Sequence, residues 1–401
     1  MNVTFVDPIA ATANLTRAAI FRPDVPAIGS DPRSLQEMKL VELATQFARR
    51  GDHATVLYGD MFLDGGERTT AEGVRIVPVN TVMRFPFHPG LLPMAPGLLG
   101  HPALLDADVI QVSEFHQPST FLSCVAAQDP SVPVVLWQET FRHMRFPGSL
   151  YQGMYESTVG PYVCRRLQRF VPRTTKAREY LRQLGAAEGR IAPWVPTGID
   201  VNAFAPRAPR GGGEDLEWAG DDPLLLLVGR LHPTKGIDIA IRVLRWVTRR
   251  IPNARLMIRG SGPEQAALIR LAQELKVAGS VRIIGRRSRD EMIDLYNRAN
   301  VVLCTSRTDL MPFSLIEGSA SGRPCVATDV GAIRDIVVDG QTGVVVRDPS
   351  VEAIGSAVCS LLENEERRMA LGAAARQRAE ETFALSVVAE RLHEVYEDVA
   401  A

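Results

Sequence analysis

The chain has 401 residues, more than one ordinary hydrophobic core holds, and points to two domains of about 150 to 200 residues each. Its 45 basic and 46 acidic side chains leave a formal charge of −1, which excludes a general attraction to nucleic acid or an anionic membrane. Five scattered cysteines without C-x-x-C spacing (Cys124, Cys164, Cys304, Cys325, Cys359), no run of roughly 20 apolar residues and no basic-then-apolar start predict a cytoplasmic protein. Neither zinc site nor disulfide is expected.

Residues 3–6 read as a first strand and 8–32 as loop. Ser34 and Glu37 form a capping box for a helix reaching Gly51, with Leu35, Met38, Val41, Ala44 and Phe47 on one face. Strands are expected at 55–58 and 74–79. Residues 86–105 hold too many prolines for a continuous helix. They read as an apolar loop, either packed on its own domain or touching lipid or acceptor. A strand over 108–112 leads to Glu114-Phe115-His116-Gln117-Pro118, where a lone histidine at a strand end is either structural or functional. The buried strand 134–137 ends in Gln138, Glu139 and Thr140, polar groups suited to a cleft.

Between Arg142 and Arg182 the chain is basic, with Arg142, Arg145, Arg165, Arg166, Arg169, Arg173, Lys176, Arg178 and Arg182 against Glu156 and Glu179. This is either a solvated face or a surface for an anionic acceptor, such as a lipid-linked sugar, at a membrane edge. The stretch 191–204 closes the first domain, and the Gly/Pro-rich residues 205–213 read as a hinge.

Residues 223–228 form a buried strand; Gly229 and Arg230 turn the chain, and Lys235 and Gly236 open a helix over 236–250. Two cations thus stand at a strand-to-helix switch. Ligands of open α/β sheets bind beyond the carboxyl ends of strands, and a guanidinium and an ammonium suit a diphosphate. Ordinary surface is the alternative. A strand at 255–258 precedes Gly260-Ser261-Gly262, but Gln265 stands where a dinucleotide fingerprint needs its third glycine, which argues against NAD. A further strand, 281–284, is followed by Gly285-Arg286 and a helix capped by Ser288 and Glu291.

The strand 301–304 leads to a loop carrying Asp309, and Pro312 opens a short helix to Ala320, stopped by Gly322 and Pro324. Glu317 lies more than a turn inside. Between the two carboxylates a helix N-terminus offers amides and a positive dipole end to an anion such as a diphosphate. A loop aspartate and a solvated helix glutamate are the plainer reading. Strands at 325–328 and 343–346 and three helices finish the chain, the last with Leu385, Val388, Leu392, Val395 and Val399 at helical spacing.

Taken together, G-R-x4-K-G over 229–236, G-x-G-P over 260–263 and an acidic residue followed by seven others and Glu (Asp309 to Glu317) resemble the nucleotide-sugar half of the retaining GT-B glycosyltransferases, family 4, also called glycosyl transferases group 1. The resemblance runs from about 224 to 346. It implies an α/β GT-B fold of two Rossmann-like doubly wound domains facing a cleft: an acceptor domain over 1–204, a linker over 205–220, a donor domain over 221–384 and a helix over 385–401 crossing back to the first domain. Gly229, Arg230 and Lys235 then hold the diphosphate, Glu317 the ribose and Asp309 the transferred sugar, with Arg286, Met311, Pro312, Phe313, Ser314 and Leu315 beside the donor. His116 faces the donor sugar, and Gly29, Gln138 and Glu139 meet the acceptor; His116, Arg230, Lys235 and Asp309 form the catalytic set.

Two departures from the family stand out: Asp309 replaces a more frequent, longer Glu, and Pro312 a frequent Gly. Only Gly29 represents the family's first Gly-rich loop.

The implied reaction moves a sugar from a nucleotide-diphosphate donor to an acceptor hydroxyl with retention, in glycan, polysaccharide or glycolipid synthesis. The leaving diphosphate takes the acceptor's proton. No cofactor is expected. No metal is expected either, because clustered His/Cys at ligand spacing are missing from the sequence. The acceptor is a sugar, a lipid-linked sugar or a small molecule, with no nucleic-acid partner and with peripheral contact at the inner membrane face. Two alternatives stay open: a non-catalytic nucleotide-sugar binding module, and a glycoside hydrolase using Asp309 and Glu317 as a pair.

Overall fold

The computed structural model of the chain describes residues 1–6, 39–59, 66–81, 83–85, 92–127, 129, 131–143, 146, 148–209 and 214–401. It divides into two compact units, Met1–Gly198 with Leu385–Ala401, and Ile199–Ala384.

The first unit runs β1 (Asn2–Val6), α1 (Lys39–Arg49), β2 (His53–Gly59), β3 (Arg68–Thr69), β4 (Arg75–Val79), β5 (Met83–Phe85), β6 (Leu92–Met94), α2 (Pro102–Leu105), β7 (Val109–Ser113), α3 (Pro118–Ala126), β8 (Val134–Gln138), α4 (Gly148–Thr158), α5 (Gly160–Arg166), β9 (Leu167–Pro172) and α6 (Thr175–Gln183). Its main sheet has the order β3-β4-β2-β1-β7-β8-β9 and is parallel except at β3–β4. Leaving the antiparallel β3 aside, the strand order reverses between β1 and β7, the doubly wound pattern. Central strands are covered on both faces, which is why β1, β7 and β8 are apolar runs. Val3 and Phe5 join one core with Val41, Ala44 and Phe47 of α1, whereas Val6 joins the other with Phe115 and Tyr155.

Several expectations meet a different structure here. Of the helix expected over 34–51, α1 covers Lys39 onward, and 34–38 lie outside the described residues. The proline-rich loop holds α2, capped by His101, whose Nδ1 accepts from Ala103 N. Proline fits there because it occupies a first helical turn. Strand β9 was hidden in the basic stretch because Gln168 and Arg169 interrupt its apolar run. Gln168 Oε1 accepts from Val134 N at 2.7 Å, and Arg169 pairs with Asp398. Other cations of that stretch also have partners within the unit. Arg166 donates to the carbonyls of Ala127 and Val132, and Arg178 and Arg182 pair with Glu188.

The second unit runs α7 (Glu214–Ala219), β10 (Leu224–Val228), α8 (Ile237–Val247), β11 (Arg255–Arg259), α9 (Gln265–Glu274), β12 (Val281–Ile284), α10 (Arg289–Arg298), β13 (Val301–Cys304), α11 (Phe313–Ala320), β14 (Cys325–Thr328), α12 (Ile333–Ile336), β15 (Gly343–Val346), α13 (Val351–Glu363) and α14 (Glu365–Phe383). Its sheet, β12-β11-β10-β13-β14-β15, is wholly parallel and reverses between β10 and β13. Leu225, Leu227, Ile241, Leu244, Leu256, Val301 and Leu303 build its core.

The linker expected over 205–220 is corrected by these contacts. The chain leaves the first unit at Gly198–Ile199, and residues 205–209 are fastened to α10 of the second. Arg207 N donates to Asn297 Oδ1 at 2.9 Å, Asn297 Nδ2 donates to the Ala205 carbonyl at 3.4 Å, and Arg207 pairs with Asp294. Proline and glycine content signals irregular backbone. It cannot show that a distant helix supplies the hydrogen bonds. The last helix, α15 (Leu385–Ala400), belongs to the first unit, where Tyr396 stacks on Phe47 at 5.5 Å and its hydroxyl donates to Gln111.

Candidate functional site

In the second unit the loops after β10 and β13 flank the point where strand order reverses, the place where open α/β sheets bind ligands. They are stitched together. Thr305 Oγ1 donates to the Gly236 carbonyl at 2.8 Å and Arg307 N to the Thr234 carbonyl at 2.8 Å. Gly236 has φ +59°, and a Cβ there would stand 2.0 Å from the Thr305 carbonyl oxygen. The Gly260-Ser261-Gly262 turn serves the same close packing. A Cβ at Gly260 would lie 1.9 Å from the Gly229 oxygen, and one at Gly262 would lie 2.3 Å from that of Leu231. These glycines let three loops pack backbone to backbone.

The loops bring Lys235 and Asp309 together: Lys235 Nζ donates to Asp309 Oδ2 at 2.5 Å. Ser306 Oγ donates to the same oxygen at 3.1 Å, and Leu310 N to Oδ1 at 3.0 Å. Arg230, on the same turn as Lys235, is exposed, and its guanidinium makes no ion pair among the described residues. Helix α11 starts after Pro312, which provides no side-chain cap. Further along it, Glu317 Oε2 accepts from Tyr296 Oη of α10 at 2.7 Å. Tyr296 is wholly buried; that burial, and then the Glu317 charge, hold its phenol pKa well above the ordinary value, so it remains a donor.

Other expected donor residues fall differently. Met311 and Pro312 are buried, Phe313 and Ser314 half-buried, and Arg286 exposed. Leu315 is a correction. Its side chain is fully buried and its amide donates to the Pro312 carbonyl at 3.1 Å, so neither is open to a ligand. Sequence reasoning missed Ser306 and Tyr296. The second carried a signal, a tyrosine in the strongly periodic helix before β13, but helical periodicity marks it as core.

In the first unit His116 follows β7 and is buried. Its Nε2 lies 2.9 Å from Glu156 Oε1, and its carbonyl accepts from Tyr151 Oη at 2.8 Å. Burial lowers its pKa; the Glu156 hydrogen bond opposes this without overcoming it. Gln152 Nε2 contacts the same carboxylate oxygen, Tyr180 Oη and His143 Nδ1, completing a polar cluster absent from the sequence reading.

Gln138 is a second correction. It is buried, with Oε1 accepting from Phe115 N and Nε2 donating to Glu114 Oε2 and the Thr140 carbonyl. Its hydrogen-bonding capacity is used to hold the 114–116 turn. Glu139 pairs with Arg173 at 3.0 Å, while the guanidinium lies over the Trp137 ring. Gly29 lies outside the described residues. Among the described residues, no three His, Cys, Asp or Glu side chains are grouped to hold a metal.

Two Rossmann-like units, each a doubly wound parallel sheet, define the GT-B class of fold. HepE of Anabaena, solved in complex with UDP, shares it at a TM-score of 0.72 and 16% identity, over 99% of this chain and 100% of that one. Sucrose-phosphate synthase of Thermosynechococcus elongatus does so at 0.71 and 17%, over 99% and 98%. Residues 214–378 match the model of the glycosyl transferases group 1 family.

Among curated relatives, a GDP-mannose-dependent alpha-(1-6)-phosphatidylinositol monomannoside mannosyltransferase of Mycolicibacterium smegmatis is 34% identical over 52% of this chain and 56% of its own length. A D-inositol 3-phosphate glycosyltransferase of Nocardia farcinica is 31% identical over 55% and 50%. The chain thus spans about half the length of the curated relatives it matches.

Proposed function

We propose that the protein transfers a sugar from a nucleoside-diphosphate sugar to an acceptor hydroxyl, with retention of configuration. The observation that carries this reading is the convergence of Arg230, Lys235 and the start of α11 at the strand-order reversal of a unit matched by the glycosyl transferases group 1 family. Arg230 and Lys235 take the diphosphate. Glu317, aimed by Tyr296, takes the ribose hydroxyls, and Asp309 the hydroxyls of the transferred sugar. The anomeric C–O bond to the diphosphate breaks as the acceptor oxygen bonds to the same face of that carbon. The acceptor's proton passes to the departing diphosphate. Charge grows on that group, so cations fixed beside it lower the barrier, and two such groups offset the charge that a divalent ion would otherwise balance.

His116, neutral beside Glu156, is the first unit's contribution to turnover. The acceptor is a hydroxyl-bearing sugar, free or lipid-linked, and we assign the protein to the cytoplasmic side, in peripheral contact with a membrane. No helix among the described residues is long and apolar enough to cross one. Support for surface contact comes from α4, which presents Leu150 and Met154, one turn apart and 66% and 61% exposed.

The experiment is a thermal-shift screen of UDP-, GDP- and ADP-sugars, then NMR assignment of the product anomer with the best donor. A product of inverted configuration removes the retaining mechanism, and stabilisation by none of them removes the donor site.

A further inference from the structure

We propose that Asp309 competes with a bound diphosphate for the Lys235 ammonium, and so drives release of the nucleoside diphosphate once its sugar has gone. The inference rests on the donor-site reading above. Lys235 Nζ lies 2.5 Å from Asp309 Oδ2, with the two side chains 22% and 10% exposed. Of the donors on this carboxylate, Ser306 Oγ and Leu310 N belong to its own loop, whereas Lys235 reaches it from the loop after β10. The carboxylate is therefore anchored without Lys235. The lysine, on its flexible four-carbon stem, is the partner that moves.

An arriving diphosphate meets an exposed Arg230 first. To gain the second cation it must draw Lys235 away from Asp309, or share it with a carboxylate whose charge repels phosphate oxygens. Removing a partner from a poorly solvated carboxylate costs free energy unless another donor replaces it. Sugar hydroxyls are such donors, and a nucleoside diphosphate without its sugar brings none. Asp309 thus makes the intact donor bind more tightly than the bare nucleotide by differential interaction with the two. After transfer the carboxylate, having lost the sugar's hydroxyls, recovers Lys235. Release of the nucleotide is built into the same pair that admits the donor.

The test is calorimetric titration of wild type, Asp309→Asn and Asp309→Glu with pyrophosphate, UDP, UDP-glucose, GDP and GDP-mannose, with thermal unfolding to verify folding. Asparagine keeps the size of the side chain and removes its charge; Asp309→Ser repeats the removal should the first variant not fold. Expected for the neutral variants is an affinity for pyrophosphate and for the bare nucleotide at least roughly fivefold above wild type, the lower range for coupled sites, with loss of the preference for the sugar ester. Asp309→Glu keeps that preference. Unchanged or weaker binding of the bare nucleotide by the neutral variants overturns the inference and leaves the donor site standing. Wild type that binds none of the five probes overturns both.

Discussion

Tyr296 Oη donates to Glu317 Oε2 at 2.7 Å, joining a wholly buried phenol on α10 to a half-buried carboxylate on α11. The phenol cannot turn without disturbing the core, so it fixes where the carboxylate points. Tyr296→Phe keeps the ring and removes the aim. Nucleoside-diphosphate affinity should fall about tenfold, the worth of one hydrogen bond to a charged group, while pyrophosphate binding stays unchanged. Parallel titrations of the two ligands check this, and equal losses for both would show that Glu317 acts on the phosphates or on the fold.

Glu114 takes φ +65°, a left-handed conformation that costs a non-glycine residue about 1 kcal/mol or more. Its carboxylate offsets this by accepting from Glu139 N at 2.8 Å, Thr140 N at 3.2 Å and Gln138 Nε2 at 3.0 Å, tying the turn after β7 to the one after β8. Glu114→Ala retains the strain and loses these bonds. A loss of about 2–3 kcal/mol in urea unfolding is expected, and Glu114→Gly should lose less, because glycine relieves the backbone.

His116 gives a pH dependence with a definite sign. Burial holds its folded pKa below the ordinary histidine value, with Glu156 opposing. Above that value, about 6.5, the ring is neutral in both folded and unfolded chains and this stabilisation is fully present. As pH falls through 6.5, roughly, the unfolded chain takes up the proton first and stability is lost. Wild type should therefore lose more unfolding free energy than His116→Gln between about pH 7.5 and 5.5, by urea titration at each pH. Equal losses would mean that the ring protonates as readily in the folded protein.

Gly236→Ala should destabilise the second unit by more than about 2 kcal/mol, since the new methyl meets a backbone carbonyl at a positive φ. Scanning calorimetry reads this as a lowered midpoint. An unchanged midpoint would require the loops at 229–236 and 305–309 to part freely, contrary to their hydrogen bonds.

Much of the second unit is legible in its sequence because local signals agree with the tertiary outcome. The strand at 301–304, the short helix ending at Ala320 and the Ser288–Glu291 capping box were readable from apolar runs, proline placement and spacing, and all three stand where expected. Asp309 and Lys235 each carry a local signal in the sequence, but their pairing does not, because 74 residues separate them and the parallel pairing of β10 with β13 brings their loops together. Gln138 reads as a cleft residue from its strand-end position. Burial and three hydrogen bonds, set by residues 23 or more positions earlier and by Thr140, make it structural. Leu315 was misplaced for a related reason: proximity along a motif does not say which way a helical side chain faces.

Arg230 and Lys235 are the proposed diphosphate-binding pair of the second unit. Calorimetric titration of the best nucleoside diphosphate into wild type, Arg230→Ala and Lys235→Ala tests that most directly. Each variant should lose at least roughly tenfold in affinity while still unfolding cooperatively, as expected for removal of one partner from a charge-assisted contact. Wild-type affinity in both variants would contradict the assignment of this site.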